Sequence, residues 1–277
     1  MAQQSGKTDG QPPFDRLVLT GAAGGLGKVV RERMRPWARV LRVSDVAPLE
    51  AAGNDECVTC DLADGKAVDA LLQGVDAAVH LGAVSIERPF HEILPANIIG
   101  TYNVYEAARR QGVKRVVFAS SNHVIGFYRQ DQTIDADVPP RPDSNYGVSK
   151  AFGEQLARFY FDRYGIESVC LRIGSSFPEP RDIRMLTSWL SYDDLAELLR
   201  CSLTAPQVGF TIVYGASANR DSWWDNSKAA HLGWTPRDSA ERFRARIESQ
   251  PQPAPDDPLR TYQGGSFVKL GPFEPNW

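Results

Sequence analysis

Short apolar runs rich in β-branched residues recur along the chain, and stretches with helical periodicity separate them. The runs cover residues 17–19, 40–43, 57–58, 77–81, 116–119 and 169–173, and a seventh follows at 210–214. Helical stretches begin near Gly25, Lys66, Ile93, Tyr146 and Tyr192. This alternation predicts an α/β fold with a doubly wound parallel sheet, in which ligands bind outside the carboxyl ends of the strands.

The length of 277 residues allows one large domain, and composition divides the chain into four segments. Residues 1–14 are expected to be a flexible tail, 15–173 a nucleotide-binding core, and 174–248 a small substrate-binding part with a returning strand. Residues 249–277 begin with a proline-rich linker and continue as an arm that carries Tyr262, Phe267, Phe273 and Trp277. We expect the arm to dock on its own domain or on a neighbouring subunit.

The charge balance argues against two classes of partner. The chain has 31 Lys and Arg against 34 Asp and Glu, a net charge of -3, so it lacks the excess positive charge that nucleic acid or an anionic membrane attracts. No stretch resembles a secretory signal or a membrane span. We therefore expect a cytoplasmic protein with neither partner.

Cysteine usage agrees with a reducing compartment, because only four cysteines occur in a chain of this size. Cys57 and Cys60 have the CxxC spacing found in redox pairs and zinc sites. In a strand, however, positions three apart face opposite sides, and no second CxxC supplies further ligands. The pattern favours a structural role and predicts no metal.

A glycine-rich turn links the first predicted strand to the first helix. It contains Gly21, Gly24, Gly25, Leu26 and Gly27. Backbone amides at such a turn can approach a pyrophosphate. Asp45 ends the second strand, where a carboxylate can accept both ribose hydroxyls of an adenosine and repels a 2′-phosphate. Together they predict a Rossmann-type site for NAD rather than NADP; a solvated strand-end acid is the alternative for Asp45.

Two further strand ends belong to the same predicted site. Asp61 and Leu62 follow the third strand and are expected to border the adenine. Leu81, Gly82 and Ala83 follow the fourth, where small residues let the backbone pass close to the cofactor.

Tyr146 and Lys150 are spaced as neighbours on one helical face, and Ser121 follows the fifth strand at the same edge of the sheet. A free tyrosine has a pKa of about 10, so a tyrosine that acts as base near neutrality needs its pKa lowered by roughly two to three units. Lys150 and a positive nicotinamide ring can supply that stabilisation, and Ser121 can hold a substrate hydroxyl. An interfacial tyrosine and a solvated lysine are the alternative.

These residues resemble the extended short-chain dehydrogenase/reductase family. Its GxxGxxG turn and its Ser and YxxxK set are matched by Gly21, Gly24, Gly27, Ser121, Tyr146 and Lys150. The resemblance covers nearly the whole chain. It implies an oxidoreductase with NAD as cofactor, and it places Ile173 and Ser176 beside that cofactor.

More narrowly, segments at 56–64, 118–123, 178–180, 184–186 and 215–219 resemble the uronate-oxidising members of the family. That resemblance implies oxidation of the pyranose form of D-glucuronate or D-galacturonate at C1, giving an aldarolactone. Tyr146 would take the proton of the anomeric hydroxyl, and Lys150 would also hold the nicotinamide ribose. Asn97 would support a proton-relay water; a buried amide satisfied by backbone is its alternative.

The resemblance also implies a set of substrate contacts. Arg184 would bind the uronate carboxylate through its planar guanidinium, with Arg172 and Arg181 as rivals. Ser85, Asn122, His123 and Ser175 would bind sugar hydroxyls, and Phe267 would close the pocket. Loop caps, turn contacts and simple packing are the alternatives for these five residues.

Two other functions fit the same motifs. A nucleotide-sugar epimerase or dehydratase would use the same base and cofactor, but only about 100 residues follow Ile173, fewer than its larger C-terminal lobe needs. An NAD-binding regulatory protein would need none of Tyr146, Lys150 and Ser121. Helices at 93–110 and 146–164 commonly pair between subunits in this family, which implies a homo-oligomer.

Overall fold

The computed structural model describes residues 11–274, and within them seven parallel strands form one sheet. The strands are β1 (Phe14–Thr20), β2 (Ala38–Asp45), β3 (Asp55–Thr59), β4 (Ala77–His80), β5 (Arg115–Ser121), β6 (Glu167–Ile173) and β7 (Phe210–Gly215). Their order is β3-β2-β1-β4-β5-β6-β7. The predicted doubly wound α/β fold is confirmed, and all seven predicted apolar runs fall on or at the end of these strands.

Helices lie in the connections between the strands and after β7. They are α1 (Gly25–Met34), α2 (Gly65–Leu71), α3 (Phe90–Ile93), α4 (Gly100–Gln111), α5 (Asn145–Tyr164), α6 (Met185–Ser188), α7 (Tyr192–Thr204), α8 (Arg244–Glu248) and α9 (Pro258–Thr261). The predicted helix start near Ile93 was late, since α3 begins at Phe90 and a π-helical segment, Leu94–Ile99, joins it to α4. Pro95 lies in that segment and has no amide hydrogen for a regular helical bond.

The sheet buries both of its faces, as the apolar runs predicted. Along β1, Leu17 and Leu19 pack on the face covered by α1 and α7, and Val18 packs on the opposite face with residues of α2, α4 and α5. All three side chains are fully buried. Each such aliphatic burial contributes about 1.5–3 kcal/mol, so the sheet is a rigid platform for the loops at its carboxyl edge.

The C-terminal arm docks on its own chain, one of the two predicted outcomes. Gln263 is completely buried, and its side chain accepts from Trp224 Nε1 at 2.9 Å and donates to the carbonyls of Arg129 (2.9 Å) and Gln132 (3.0 Å). Its amide donates to the Tyr128 carbonyl at 2.8 Å. One polar side chain thus ties the arm to the segment that follows β5.

The predictions for the chain termini and for a membrane span can be compared only with the described residues. Most of the predicted tail, residues 1–10, and the last three residues, 275–277, lie outside them, and the four segment boundaries stay predictions. None of the helices described at 11–274 is long and apolar enough to cross a membrane.

The cysteine pair behaves as the strand pattern predicted. Cys57 packs against the core on one face of the sheet and Cys60 lies in the core on the other. All four cysteines are free thiols, and no cluster of potential metal ligands occurs in the described part of the chain.

Candidate active site

A cavity of about 1010 Å³ opens at the carboxyl edge of the sheet. It brings together every predicted site residue except Asn97. The lining includes Gly21, Gly24, Gly25, Leu26, Gly27, Asp45, Asp61, Leu62, Leu81, Gly82, Ala83, Ser85, Ser121, Asn122, His123, Tyr146, Lys150, Ile173, Ser175, Ser176, Arg184 and Phe267.

The glycine turn forms one end of the cavity through close backbone approach. Gly21 has a φ of +75°, and a Cβ there would lie 2.7 Å from the Gly82 nitrogen. A Cβ on Gly27 would lie 2.0 Å from the Gly21 carbonyl oxygen. No side chain caps the start of α1, so its first-turn amides and positive helix end face the cavity. This is the environment that a pyrophosphate requires.

The neighbouring strand ends fit the remainder of a dinucleotide. Asp45 Oδ2 accepts from the Ala23 amide at 2.9 Å, which holds the half-buried carboxylate beside the glycine turn. Arg42 points away, because it donates to the Leu71 carbonyl (2.7 Å) and pairs with Glu56. At the other end, the buried Ser176 hydroxyl has no hydrogen-bond partner among the described residues and lines the cavity. Polar groups that can bind a dinucleotide therefore lie at both ends of the predicted NAD site.

Helix α5 carries the catalytic candidates to the middle of the cavity. Ser144 begins the helix by accepting from the Gly147 amide at 2.9 Å. One turn apart, Tyr146 and Lys150 are both buried, and Lys150 Nζ lies 5.6 Å from the Tyr146 ring centre. Lys150 Nζ also donates to the Ala119 carbonyl of β5 at 2.7 Å. Ser121, two residues further along β5, lines the cavity with Tyr146, and its hydroxyl oxygen accepts from the His123 amide at 3.2 Å.

Burial governs the protonation of both groups. It raises the pKa of Tyr146 to about 12, against a smaller lowering by the nearby Ser121 hydroxyl. It lowers the pKa of Lys150 to about 7. The tyrosine is thus protonated at neutral pH, because burial outweighs the lowering of its pKa that was expected from the Lys150 charge.

Below the cavity floor, a buried ion pair anchors α5 to the sheet. Glu154, one turn beyond Lys150, accepts from Arg172 Nε (2.9 Å) and Nη2 (2.8 Å) and from the Ser120 hydroxyl (2.6 Å). Arg172 is therefore neutralised within the protein. The second rival, Arg181, lies 3.9 Å above the Phe177 ring at the cavity rim.

Arg184 is a buried guanidinium whose contacts are all neutral. It is 9% exposed, donates through Nε to the Gln263 carbonyl at 2.6 Å and through Nη1 to the Ser175 hydroxyl at 3.1 Å. With the Asn122 amide turned so that its oxygen faces Arg184, Nη2 donates to that oxygen at 2.5 Å. Within residues 11–274 no carboxylate forms an ion pair with it, and burial lowers its pKa despite longer-range attraction to Asp182 and Asp143.

His123 and Phe267 form the roof beside Tyr146. Their rings stack with centres 3.7 Å apart, and His123 meets Tyr146 edge-on at 5.8 Å. His123 Nδ1 lies 2.8 Å from the buried Asp143 carboxylate. Burial nevertheless lowers the pKa of His123, so its imidazole is mainly neutral at pH 7. Nε2 is the ring nitrogen left for a ligand hydroxyl.

Asn97 stands apart from the other predicted residues. Its side-chain oxygen accepts from the Val84 amide (2.8 Å), and its nitrogen donates to the Val84 carbonyl (3.0 Å) and the Ser149 hydroxyl (2.9 Å). These contacts match the alternative of a satisfied buried amide. A role in a proton-relay water stays a prediction.

Sequence reasoning missed three residues that hold the site residues in place. Asp143 holds His123, Gln263 holds both the arm and Arg184, and Glu87 binds the start of α5. Their partners lie 20–79 positions away along the chain, so no local spacing marks them. The available signal was a lone charged or amide residue in a stretch otherwise predicted to be loop.

A family profile agrees with this arrangement. The profile of the NAD dependent epimerase/dehydratase family matches residues 17–191, from β1 to just before α7. The chain belongs to this family. Its extended short-chain dehydrogenase/reductase resemblance is thereby confirmed.

Within the NAD dependent epimerase/dehydratase family, the chain is similar to several uronate dehydrogenases. It is 63% identical to the one from Pseudomonas putida over 263 residues, which are 94% of this chain and 98% of that protein. It is 56% identical to the one from Agrobacterium fabrum over 91% of this chain and 96% of that protein. A crystal structure of a tyrosine-to-alanine mutant of the Agrobacterium tumefaciens uronate dehydrogenase, complexed with NAD, has a TM-score of 0.92 at 54% identity and covers 95% and 100% of the two chains.

These relatives and the family membership make the chain an NAD-dependent oxidoreductase, and NAD is its cofactor. The uncapped α1 end, Asp45 and the unpartnered Ser176 fit that cofactor.

Proposed function

We propose that this family member oxidises D-glucuronate or D-galacturonate at C1. The observation that carries the proposal is Arg184, a buried cation without an ion-pair partner in the described chain, in the same cavity as Tyr146. Burying an uncompensated guanidinium is costly, and a ligand carboxylate offsets that cost through two charge-assisted hydrogen bonds. Uronate dehydrogenase relatives at 56–63% identity support the same substrate class.

The neutral partners of Arg184 suit this role. Asn122 and Ser175 accept from its two Nη atoms and thereby fix the plane of the guanidinium. When a carboxylate binds, these side chains turn to the sugar hydroxyls, together with Ser85 and His123 on the other walls. Phe267 covers the sugar, because its stacking on His123 places an apolar ring over this part of the cavity.

Tyr146 accepts the proton of the anomeric hydroxyl in this mechanism, and Ser121 holds the same hydroxyl in place. NAD, when bound, accepts the hydride that leaves C1 and adds a positive ring to the cavity. Lys150 would hold the nicotinamide ribose through its ammonium, which lies beside the Tyr146 ring. Loss of hydride from C1 and of the hydroxyl proton converts the cyclic hemiacetal into a lactone, which water then opens to the diacid.

Formation of reduced cofactor tests the proposal. Wild-type protein with NAD and either uronate should produce NADH, and Tyr146→Phe should lower kcat at least about 100-fold while NAD still binds. Tyr105→Phe is a matched control, since Tyr105 is also buried but its hydroxyl bonds Ser168 away from the cavity.

Three results would contradict the proposal. The first is no NADH with either uronate. The second is isomerisation of a nucleotide sugar without net NADH, which favours the epimerase. The third is tight NAD binding without turnover of any sugar, which favours a regulatory protein.

The proposal includes a cytoplasmic homo-oligomer. The four thiols are free, as a reducing compartment favours. Tyr102 of α4 and Phe159 and Tyr164 of α5 are each 43–48% exposed, and such an apolar surface suits pairing between copies. Light scattering should give a dimer or larger assembly, and Phe159→Glu should shift it toward monomer; a monomeric wild type would contradict this part.

A further inference from the structure

The loop between β4 and α3 is bound to the start of α5 by a buried carboxylate. Glu87 is 8% exposed, and its Oε1 accepts from the Asn145 amide at 3.0 Å. Its Oε2 accepts from the Tyr146 amide at 2.8 Å. The Asn145 side chain in turn donates to the Arg88 carbonyl at 3.2 Å. The loop therefore contacts the backbone of the catalytic tyrosine itself.

Side chains therefore accept hydrogen bonds from the first three backbone amides of α5. Glu87 takes the first two amides, and Ser144 takes the third, that of Gly147. Glu87 has no cationic partner among residues 11–274, so the helix end is what compensates its buried charge. Because the carboxylate and the helix end depend on each other, the loop and α5 are held as one unit.

A second group of hydrogen bonds holds the same loop at Val84, three residues before Glu87. Asn97 binds both the amide and the carbonyl of Val84, and it donates to Ser149 on α5. Ser85, which lines the cavity, lies between Val84 and Glu87. Val84, directly before Ser85, and Glu87, two positions after it, are thereby both tied to the helix that carries Tyr146.

We propose that Glu87 is a positioning residue that fixes Ser85 relative to Tyr146. The inference rests on the proposed function, because it needs a sugar that touches both side chains. Ser85 orients a sugar hydroxyl and Tyr146 takes the anomeric proton, so an error in their spacing misplaces C1. Misplacement by even about 1 Å can lower a rate about 100-fold.

The first test compares two glutamate variants. Glu87→Gln keeps the size of the side chain but turns an N–H toward one of the two amides; it should lower kcat/KM for the uronate at least tenfold. Glu167→Gln is the matched control, because Glu167 Oε1 also accepts from two successive amides, Val208 (2.8 Å) and Gly209 (2.9 Å), at the opposite edge of the sheet. It should lose at least as much thermal stability as Glu87→Gln, because Glu167 also pairs with Arg115, yet keep kcat/KM within about twofold. Equal activity losses in the two variants would overturn the proposal.

A double-mutant cycle separates positioning from general loosening. In the Ser85→Ala background, Glu87→Gln should cost at least threefold less in kcat/KM than it does in the wild type, since the hydroxyl it positions is gone. Equal losses in both backgrounds would overturn the proposal. Absence of uronate turnover by the wild type would instead contradict the proposed function.

A third variant leaves Glu87 untouched. Asn145 is the first residue of α5, a position where proline is well tolerated. Asn145→Pro therefore removes only two hydrogen bonds: the one from the Asn145 amide to Glu87 Oε1 and the one from its side chain to the Arg88 carbonyl. Asn145→Ala removes that side-chain bond alone. We expect Asn145→Pro to lower kcat/KM at least threefold below Asn145→Ala, and equal values would overturn the proposal.

Discussion

Replacing Lys150 by methionine should make the NAD-free protein more stable while abolishing turnover. The lysine is 4% exposed, its one hydrogen bond goes to the Ala119 carbonyl, and no carboxylate pairs with it within residues 11–274. Its ammonium is therefore a buried charge retained for function. Methionine fills a similar volume without that charge.

The size of the effect follows from the pKa of Lys150. A fall from 10.5 to about 7 corresponds to roughly 4–5 kcal/mol at about 1.4 kcal/mol per pH unit. The variant also leaves the Ala119 carbonyl without its donor, at a cost of about 1–3 kcal/mol. The net gain at pH 7 is about 1–4 kcal/mol, or a rise in Tm of roughly 2–8 °C at about 2 °C per kcal/mol for a chain of this size.

The gain has a defined pH dependence. Below pH 7 the folded and unfolded chains both carry the lysine proton, so the wild type bears the full penalty. Between about pH 7 and 10.5 the unfolded chain still binds the proton that the folded chain has released, so wild-type stability rises with pH. The difference between variant and wild type should therefore be largest at pH 6–7 and shrink toward pH 9.5.

Unfolding in urea without NAD, measured from pH 6 to 9.5, checks both statements. Taking the difference between the two proteins removes the contribution of other titrating groups, among them Tyr146. A variant less stable than the wild type at pH 7, or a difference independent of pH, would refute the reasoning.

Three further variants test separate parts of the site. Asp45→Ala should raise the ratio of NADP to NAD use at least about tenfold, measured as kcat/KM for each cofactor, because the carboxylate that repels a 2′-phosphate is gone; an unchanged ratio would remove Asp45 from the ribose site. Gln263→Ala should raise KM for the uronate at least about fivefold, with the Kd of NAD within about twofold, since the arm loses its side-chain bonds to Trp224, Arg129 and Gln132 and no longer holds in place the backbone carbonyl that binds Arg184. Limited proteolysis should cut the arm faster, and an arm as resistant as in the wild type would contradict this. Arg172→Met should destabilise the fold by about 3–5 kcal/mol, because it leaves Glu154 as an unpaired buried charge; a selective loss of uronate affinity in a fully stable protein would restore Arg172 as the carboxylate binder.

The sheet and the cofactor end of the cavity were predictable from sequence because their signals are local. Apolar runs marked all seven strands, and the glycine spacing marked a turn whose Gly21 has a positive φ and whose Gly27 packs directly on backbone. The spacing of Tyr146 and Lys150 marked one helix face, since both lie on α5.

The supports of the substrate end were not predictable in the same way. Glu87 meets Asn145 across 58 positions, and Gln263 meets Arg184 across 79, so each contact exists only once the sheet has brought distant loops together. The tyrosine pKa shows the same limit, because helical spacing indicates a nearby lysine but does not indicate how much water burial removes. Desolvation is a property of the completed fold.

The Arg184 guanidinium decides whether the account of the substrate is right, and the most direct measurement is the ratio of kcat/KM for D-glucuronate to that for D-glucose. The two sugars share the anomeric hydroxyl and differ at the carboxylate. The wild type should prefer the uronate at least about 100-fold, and Arg184→Gln should bring that ratio close to one while the Kd of NAD stays within about twofold. An unchanged ratio in the variant would contradict the central claim.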